Sequence, residues 1–226
     1  MSQKPPFRIK VCGMREPDNI RAIAALQPDA MGFIFYPKSK RYMAETLDPS
    51  VVRELPRAIQ TVGVFVNASV DEMILQCERY HLSTVQLHGD EAPEQAEQMR
   101  TKSPELSIWK AFGLSNDFDF DSLALYEPHC DAFLFDTKTK GYGGSGQTFD
   151  WSLLSSYRGN VPFWLSGGLG PEQVSALVTF AQHNPSLVGV DLNSQLEVAP
   201  GLKSVERTQQ VLGDLRGEEV YELSSR

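Results

Sequence analysis

Short apolar runs and helix-period stretches alternate from one end of this chain to the other, eight times over. Residues 8–14 set the pattern. Arg8, Lys10 and Cys12 share one side of an alternating run and Ile9 and Val11 share the other, which is the two-residue period of a strand. Gly13 ends it, and Pro17-Asp18-Asn19 opens a helix expected to run to residue 26. Further strands are expected at 30–35, 61–66, 84–88, 107–112, 131–135, 161–165 and 187–191. Helices are expected at 49–55, 70–80, 91–100, 121–126, 151–157, 171–181 and 203–215, with Cys77 in the buried face of the one at 70–80. At about 28 residues each, eight β–α units approach the roughly 250 residues of a (β/α)8 TIM barrel. An even number of unbroken units favours that closed α/β barrel over its rival, a doubly wound open sheet. No Pro-, Gly- or Ser-rich linker divides the 226 residues, so a single domain is expected over 1–226, with frayed tails at 1–6 and 217–226.

A net charge of −8 argues against a nucleic-acid partner or an anionic membrane surface, both of which ask for a basic face. The three cysteines, Cys12, Cys77 and Cys130, are odd in number and far apart, which disfavours a disulfide framework. The four histidines form no HxH or HxxxH pair, so no metal site is expected. Met-Ser-Gln-Lys-Pro-Pro at the N-terminus has no apolar core to act as a signal, and no apolar run approaches a membrane span. A reduced, cytoplasmic protein is the expectation.

Strand parity points to a site. Ile9, Val11, Val62, Val64, Val85, Leu87, Phe133 and Phe135 are assigned to the helix-facing side. Lys10, Cys12, Gln86, His88, Lys110 and Asp136 then fall on the interior side. Unpaired Lys and Asp are expensive in a plain core. A polar site at the carboxyl ends of the strands explains them, because that edge carries the chemistry in this architecture.

Four loops at that edge carry chemistry-bearing residues. Tyr36-Pro37-Lys38-Ser39-Lys40-Arg41-Tyr42 concentrates cations in an acidic chain, either as a solvated loop or as an anion clamp in which the planar fork of Arg41 suits a carboxylate. Residues 136–147 hold a glycine-rich run that can fold over a ligand, and they begin with Asp136 at the end of an apolar strand. A carboxyl partly desolvated there holds its proton closer to neutral pH and can act as a general acid. Ser166-Gly167-Gly168-Leu169-Gly170-Pro171 and Asp191-Leu192-Asn193-Ser194 follow the seventh and eighth strands, where barrels of this type frequently bind phosphate. Cys12 taken alone reads more readily as a small buried filler than as a catalyst. As a base it needs cationic or dipolar help, which Lys10, one interior step below, is placed to give.

Together these stretches resemble the phosphoribosylanthranilate isomerase family. The matching runs are Lys10-Val11-Cys12-Gly13-Met14, Gly32-Phe33-Ile34-Phe35 with residues 39–42, and Val85-Gln86-Leu87-His88-Gly89. They continue with Asp136 and the run from Gly143 to Trp151, then Leu165-Ser166-Gly167-Gly168-Leu169, then Asp191-Leu192-Asn193-Ser194 with Glu197, in the family's order along nearly the whole chain. The chain departs from the family pattern at Gln147, Ser166 and the run Leu192-Asn193-Ser194-Gln195-Leu196, which touches the phosphate contacts more than the chemistry. The resemblance implies an Amadori rearrangement of N-(5-phosphoribosyl)anthranilate in tryptophan biosynthesis. It implies Asp136 as general acid and Cys12 as general base. Arg41 would hold the anthranilate carboxylate, Gly167, Gly168, Asn193 and Ser194 the phosphate, and His88 and Gly144 would complete the substrate contacts. No metal or organic cofactor is implied, because the iminium formed on ring opening is itself the electron sink. The expected partner is the phosphosugar substrate alone, on a monomer or homodimer. Two rivals are another phosphosugar enzyme with Lys10 as a Schiff-base nucleophile, and a binding barrel without catalysis.

Overall fold

The computed structural model describes residues 8–137 and 150–217. Its strands are β1 (Arg8–Val11), β2 (Ala30–Ile34), β3 (Gln60–Phe65), β4 (Thr84–Leu87), β5 (Ser107–Leu114), β6 (Ala132–Thr137), β7 (Phe163–Leu165) and β8 (Leu187–Leu192). All pair in parallel in chain order, and β8 returns to β1 through Lys10 opposite Asp191, closing the barrel. The eight-unit expectation therefore holds.

The covering helices are α1 (Pro17–Ala25), α2 (Pro49–Arg53), α3 (Val70–Tyr80), α4 (Pro93–Lys102), α5 (Val174–His183) and α6 (Val205–Arg216). Their starts are written locally. Proline opens α1, α2 and α4, where its missing N–H costs nothing. The side chains of Asp48, Ser69 and Ser204 accept from backbone N–H groups in the first turns of α2, α3 and α6. Cys77 is buried on α3, as its spacing suggests.

Where helices were expected at 121–126 and 151–157, the chain instead makes single 3-10 segments, Phe120–Leu125 and Trp151–Ser156. Asp119 and Asp150 each bond the N–H two residues on and fix a turn there. An aromatic cluster covers this wall, with the Phe135 ring 5.6 Å from Tyr157 and 6.2 Å from Phe120. A hairpin that the sequence did not announce, β9 (Glu197–Ala199) with β10 (Leu202–Lys203), follows β8. It turns at Pro200-Gly201, and Lys203 lies in β10 rather than in the last helix. Gly217 closes α6 in the left-handed region. The tails on either side lie outside the described residues, and no helix among those described is long and apolar enough to cross a membrane.

Two apolar layers form. Ile9, Val11, Val85, Leu87, Phe133 and Phe135 pack between barrel and helices, as expected. Inside the barrel lie Ala30, Val62, Val64, Trp109, Ala111, Ala132, Leu134 and Trp164, with Cys12 at their edge. The Trp109 and Trp164 rings stack at 4.7 Å and fill the interior. Val62 and Val64 are thus interior and not helix-facing, because parallel neighbours share a face and Val64 lies opposite Gln86.

Lys110 corrects the parity reading in the other direction. It lies opposite Leu87, on the helix side, while Trp109 beside it points inward with Gln86. Its ammonium is 3.1 Å from Glu91 and donates to the carbonyl oxygens of Gly89 and Ala111 at 2.8 and 3.0 Å. Glu91 in turn accepts from the backbone N–H groups of Asn67 and Gly89. This buried pair ties together the loops after β3 and β4. Lys110→Met leaves Glu91 buried without its cation, so urea unfolding should show a loss of about 3–5 kcal/mol. A loss under 1 kcal/mol would show that the pair does not hold these loops.

Candidate active site

Eight of the nine residues singled out in the sequence line one cavity at the carboxyl ends of the strands: Cys12, Arg41, His88, Asp136, Gly167, Gly168, Asn193 and Ser194. The ninth, Gly144, lies outside the described residues. The cavity measures about 710 Å³ with its open mouth included, within the range of a small-molecule site. Tyr36, Ser39, Gln86 and Asp191 also line it.

Cys12 follows β1 and donates its N–H to the Leu192 carbonyl at 2.8 Å, which ties the thiol to β8. Gly32 on β2 makes the space: a Cβ there would lie 2.6 Å from Cys12 Sγ and 2.9 Å from Lys10 Cε. Asp136 stands near the end of β6, three strands away around the ring. Its Oδ1 accepts the Thr137 N–H at 2.7 Å, and its Oδ2 is 3.6 Å from His88 Nε2. Gly167 lets the β7 loop pass close to this acid, at φ +94° and with a Cβ position only 2.7 Å from Asp136 Oδ1.

Beneath them lies Lys10, fully buried. Its ammonium donates to Gln86 Oε1 at 2.7 Å and to Asp191 Oδ2 at 3.1 Å. Burial opposes its charge, but the Asp191 carboxylate and the Cys12 sulfur outweigh burial and raise its pKa. Paired with Asp191 and Gln86 in this way, it does not present the free amine that the Schiff-base alternative requires. The Cys12 thiol is pushed up by burial and by Asp191, against the pull of Lys10 and Lys203. Lys10 therefore helps the thiolate as expected without bringing it below the ordinary thiol value.

A second charged cluster closes the other side. Arg41 donates through Nε and Nη2 to both oxygens of Glu197, at 2.8 and 2.7 Å. Lys203 donates to Glu197 Oε1 at 2.8 Å and to Asn193 Oδ1 at 2.7 Å. Burial works against the Glu197 charge, but these cations and the Gly201 N–H bring its pKa down to about 2. Lys203 escaped the sequence reading because it looked like the first residue of a helix. Glu197 was visible only as part of a motif. Gln86 was visible as a polar residue on interior parity, though without a role.

Comparison with known proteins agrees with this geometry. A family model described as N-(5'phosphoribosyl)anthranilate (PRA) isomerase matches residues 9–213. The N-(5'-phosphoribosyl)anthranilate isomerase of Phocaeicola vulgatus is 47% identical over 195 residues, 86% of this chain and 91% of that one. A crystal structure of phosphoribosyl anthranilate isomerase from Thermus thermophilus matches with a TM-score of 0.81 at 28% identity, over 93% of this chain and 99% of that one. Another phosphoribosyl anthranilate isomerase was solved in complex with reduced 1-(o-carboxyphenylamino)-1-deoxyribulose 5-phosphate. It matches with a TM-score of 0.77 at 30% identity, over 93% and 99% of the two chains.

Two measurements check the electrostatics. Alkylation of Cys12 by iodoacetamide, followed by mass spectrometry, should still accelerate with pH at 9.0, the ordinary thiol value. A plateau below about pH 8 would contradict a raised thiol pKa. The depressed Glu197 pKa stabilises the fold fully above 4.5 and progressively less as pH falls toward 2. The stability advantage of wild type over Glu197→Gln in urea should therefore shrink between roughly pH 6 and pH 3. A constant gap would place the source of stability elsewhere.

Proposed function

This chain belongs to the N-(5'-phosphoribosyl)anthranilate isomerase family, and on that footing we propose how its side chains share the work. It is an isomerase of tryptophan biosynthesis acting on a phosphosugar, N-(5-phosphoribosyl)anthranilate, which it converts to the 1-deoxyribulose product. The reaction needs a proton delivered to the furanose ring oxygen and another removed from C2. Asp136 gives the first. The bond from C1 to the ring oxygen breaks, and the anthranilate nitrogen takes up positive charge as an iminium. Cys12, as thiolate, takes the C2 proton. The C2–H electron pair forms the C1–C2 double bond and neutralises the iminium. The resulting enolamine tautomerises to the ketone as C1 gains a proton and the C2 hydroxyl loses one.

The observation that carries this reading is the shared cavity. A sulfur from the end of β1 and a carboxyl from β6 open into the same space, on different sides of it. The raised thiol pKa fits a base that ionises in the presence of a cation, and the iminium supplies one beside it. Arg41 binds the anthranilate carboxylate. Glu197 already holds Nε and Nη2, so the guanidinium is rigidly presented and its Nη1 side remains for the substrate. Gly167, Gly168, Asn193 and Ser194 bind the phosphate from the loops after β7 and β8. His88 lies on the Asp136 side of the bound sugar.

Loss of anthranilate fluorescence on turnover tests the assignment. Cys12→Ala and Asp136→Asn should each lower kcat by about 10²–10⁴-fold while binding of the reduced product analogue persists. A kcat within about tenfold of wild type for either variant would remove that residue from the chemistry.

A further inference from the structure

The Lys10 ammonium and the Asp136 carboxyl are joined by two side chains that the reaction as described does not use. Lys10 Nζ donates to Gln86 Oε1 at 2.7 Å. An ammonium has only donors, so the Gln86 atom facing it must be the carbonyl oxygen. The other end of that amide is then the NH2 group, and it lies 2.6 Å from His88 Nδ1. An NH2 group only donates here, so His88 Nδ1 must accept. A neutral imidazole that accepts at Nδ1 carries its proton on Nε2. Nε2 is the ring nitrogen 3.6 Å from Asp136 Oδ2.

From this chain of donors and acceptors we propose that Lys10 and Gln86 are positioning residues for the acid step, holding His88 in the Nε2–H tautomer so that it receives the Asp136 carboxylate after proton transfer. The inference rests on Asp136 being the acid. Once Asp136 has protonated the ring oxygen it becomes an anion in a half-buried site. A preset N–H donor across a short gap stabilises that anion without competing for the proton beforehand. The 3.6 Å separation is too long for a hydrogen bond in the free enzyme and closes as charge develops. Opposite orientation of the Gln86 amide would set two donors against each other at Lys10, a clash that is costly for the fully buried Gln86.

Other charges that face His88 do not alter the polarity of the chain. Asp136 approaches from β6, and Asp191 on β8 acts on it through space from the far side of Lys10. Both are carboxylates, and Gln86 separates the ring from Lys10. Lys10 thus serves both ends of the reaction, directly at Cys12 and through two side chains at Asp136.

Nitrogen NMR of the full-length wild-type protein labelled with ¹⁵N-histidine reads the tautomer without any substitution in the chain under test. A His88→Gln sample identifies the His88 signals among the four histidines. The expected result is a His88 ring protonated at Nε2 and bare at Nδ1 near neutral pH. Gln86→Leu should convert this to a tautomer mixture and lower kcat by about tenfold or more, with KM changed less than about threefold. A wild-type ring protonated at Nδ1, or protonated on both nitrogens, would overturn the inference. So would an unchanged kcat in a folded Gln86→Leu protein. If Gln86→Leu does not fold, the wild-type spectrum still decides. Asp136→Asn separates the two levels of the argument. Full turnover by that variant would refute the acid assignment and leave the tautomer result standing. A wrong tautomer with an inactive Asp136→Asn protein would refute only the role given to Lys10 and Gln86.

Discussion

An ammonium group held fully out of water inside a small barrel dictates much of what surrounds it. Leaving the charge on Lys10 uncompensated would cost on the order of several kcal/mol. The barrel answers with Asp191 from β8 and Gln86 from β4. These two partners come from opposite sides of β1, so satisfying one cation fixes the relative placement of three strands. It also fixes which way the Gln86 amide points, and with it what His88 and Cys12 experience. The Trp109 and Trp164 stack seals this polar cluster from below. The cavity opens only above it, at the strand ends.

The same logic recurs at the rim. Glu197 stands among Arg41, Lys203 and a backbone N–H, and its depressed pKa records that surplus of donors. The hairpin of β9 and β10 exists to deliver Glu197 and Lys203 to this place. Arg41 arrives from the loop after β2 and is gripped on one edge by Glu197, so its guanidinium would need little further ordering to meet a planar anion. The site is thus built from two charge clusters, one under the thiol and one beside it, while the Asp136 carboxyl stands across the cavity on β6.

The order of strands was legible in the sequence because each strand is an apolar run closed by a turn signal. So were Cys12, Asp136 and the loops after β2, β7 and β8, since strand-end positions follow from the strand assignments themselves. Side-chain facing was less legible. A parallel strand in a barrel is apolar on both sides, so Val62 and Val64 give no hint of which side is inward. Lys110 misled because a charge in a strand invites an interior role. Glu91 and a ring of carbonyl oxygens give it an equally good home on the helix side. Helices at 121–126 and 151–157 follow from the β–α alternation, yet the side chains of Asp119 and Asp150 fix 3-10 turns there. Lys203 was unreadable for a different reason: its partners Asn193 and Glu197 meet it only because Pro200-Gly201 folds the chain back.

The central claim is spatial: one bound sugar phosphate is touched by the sulfur at C2 and by the carboxyl at the former ring oxygen. A crystal structure of this protein with the reduced product analogue tests it most directly. The account predicts Cys12 Sγ in van der Waals contact with C2, and Asp136 within about 2.6–3.2 Å of the C4 hydroxyl that was the ring oxygen. A ligand whose phosphate lies between β1 and β6, or whose C2 faces neither group, would contradict it.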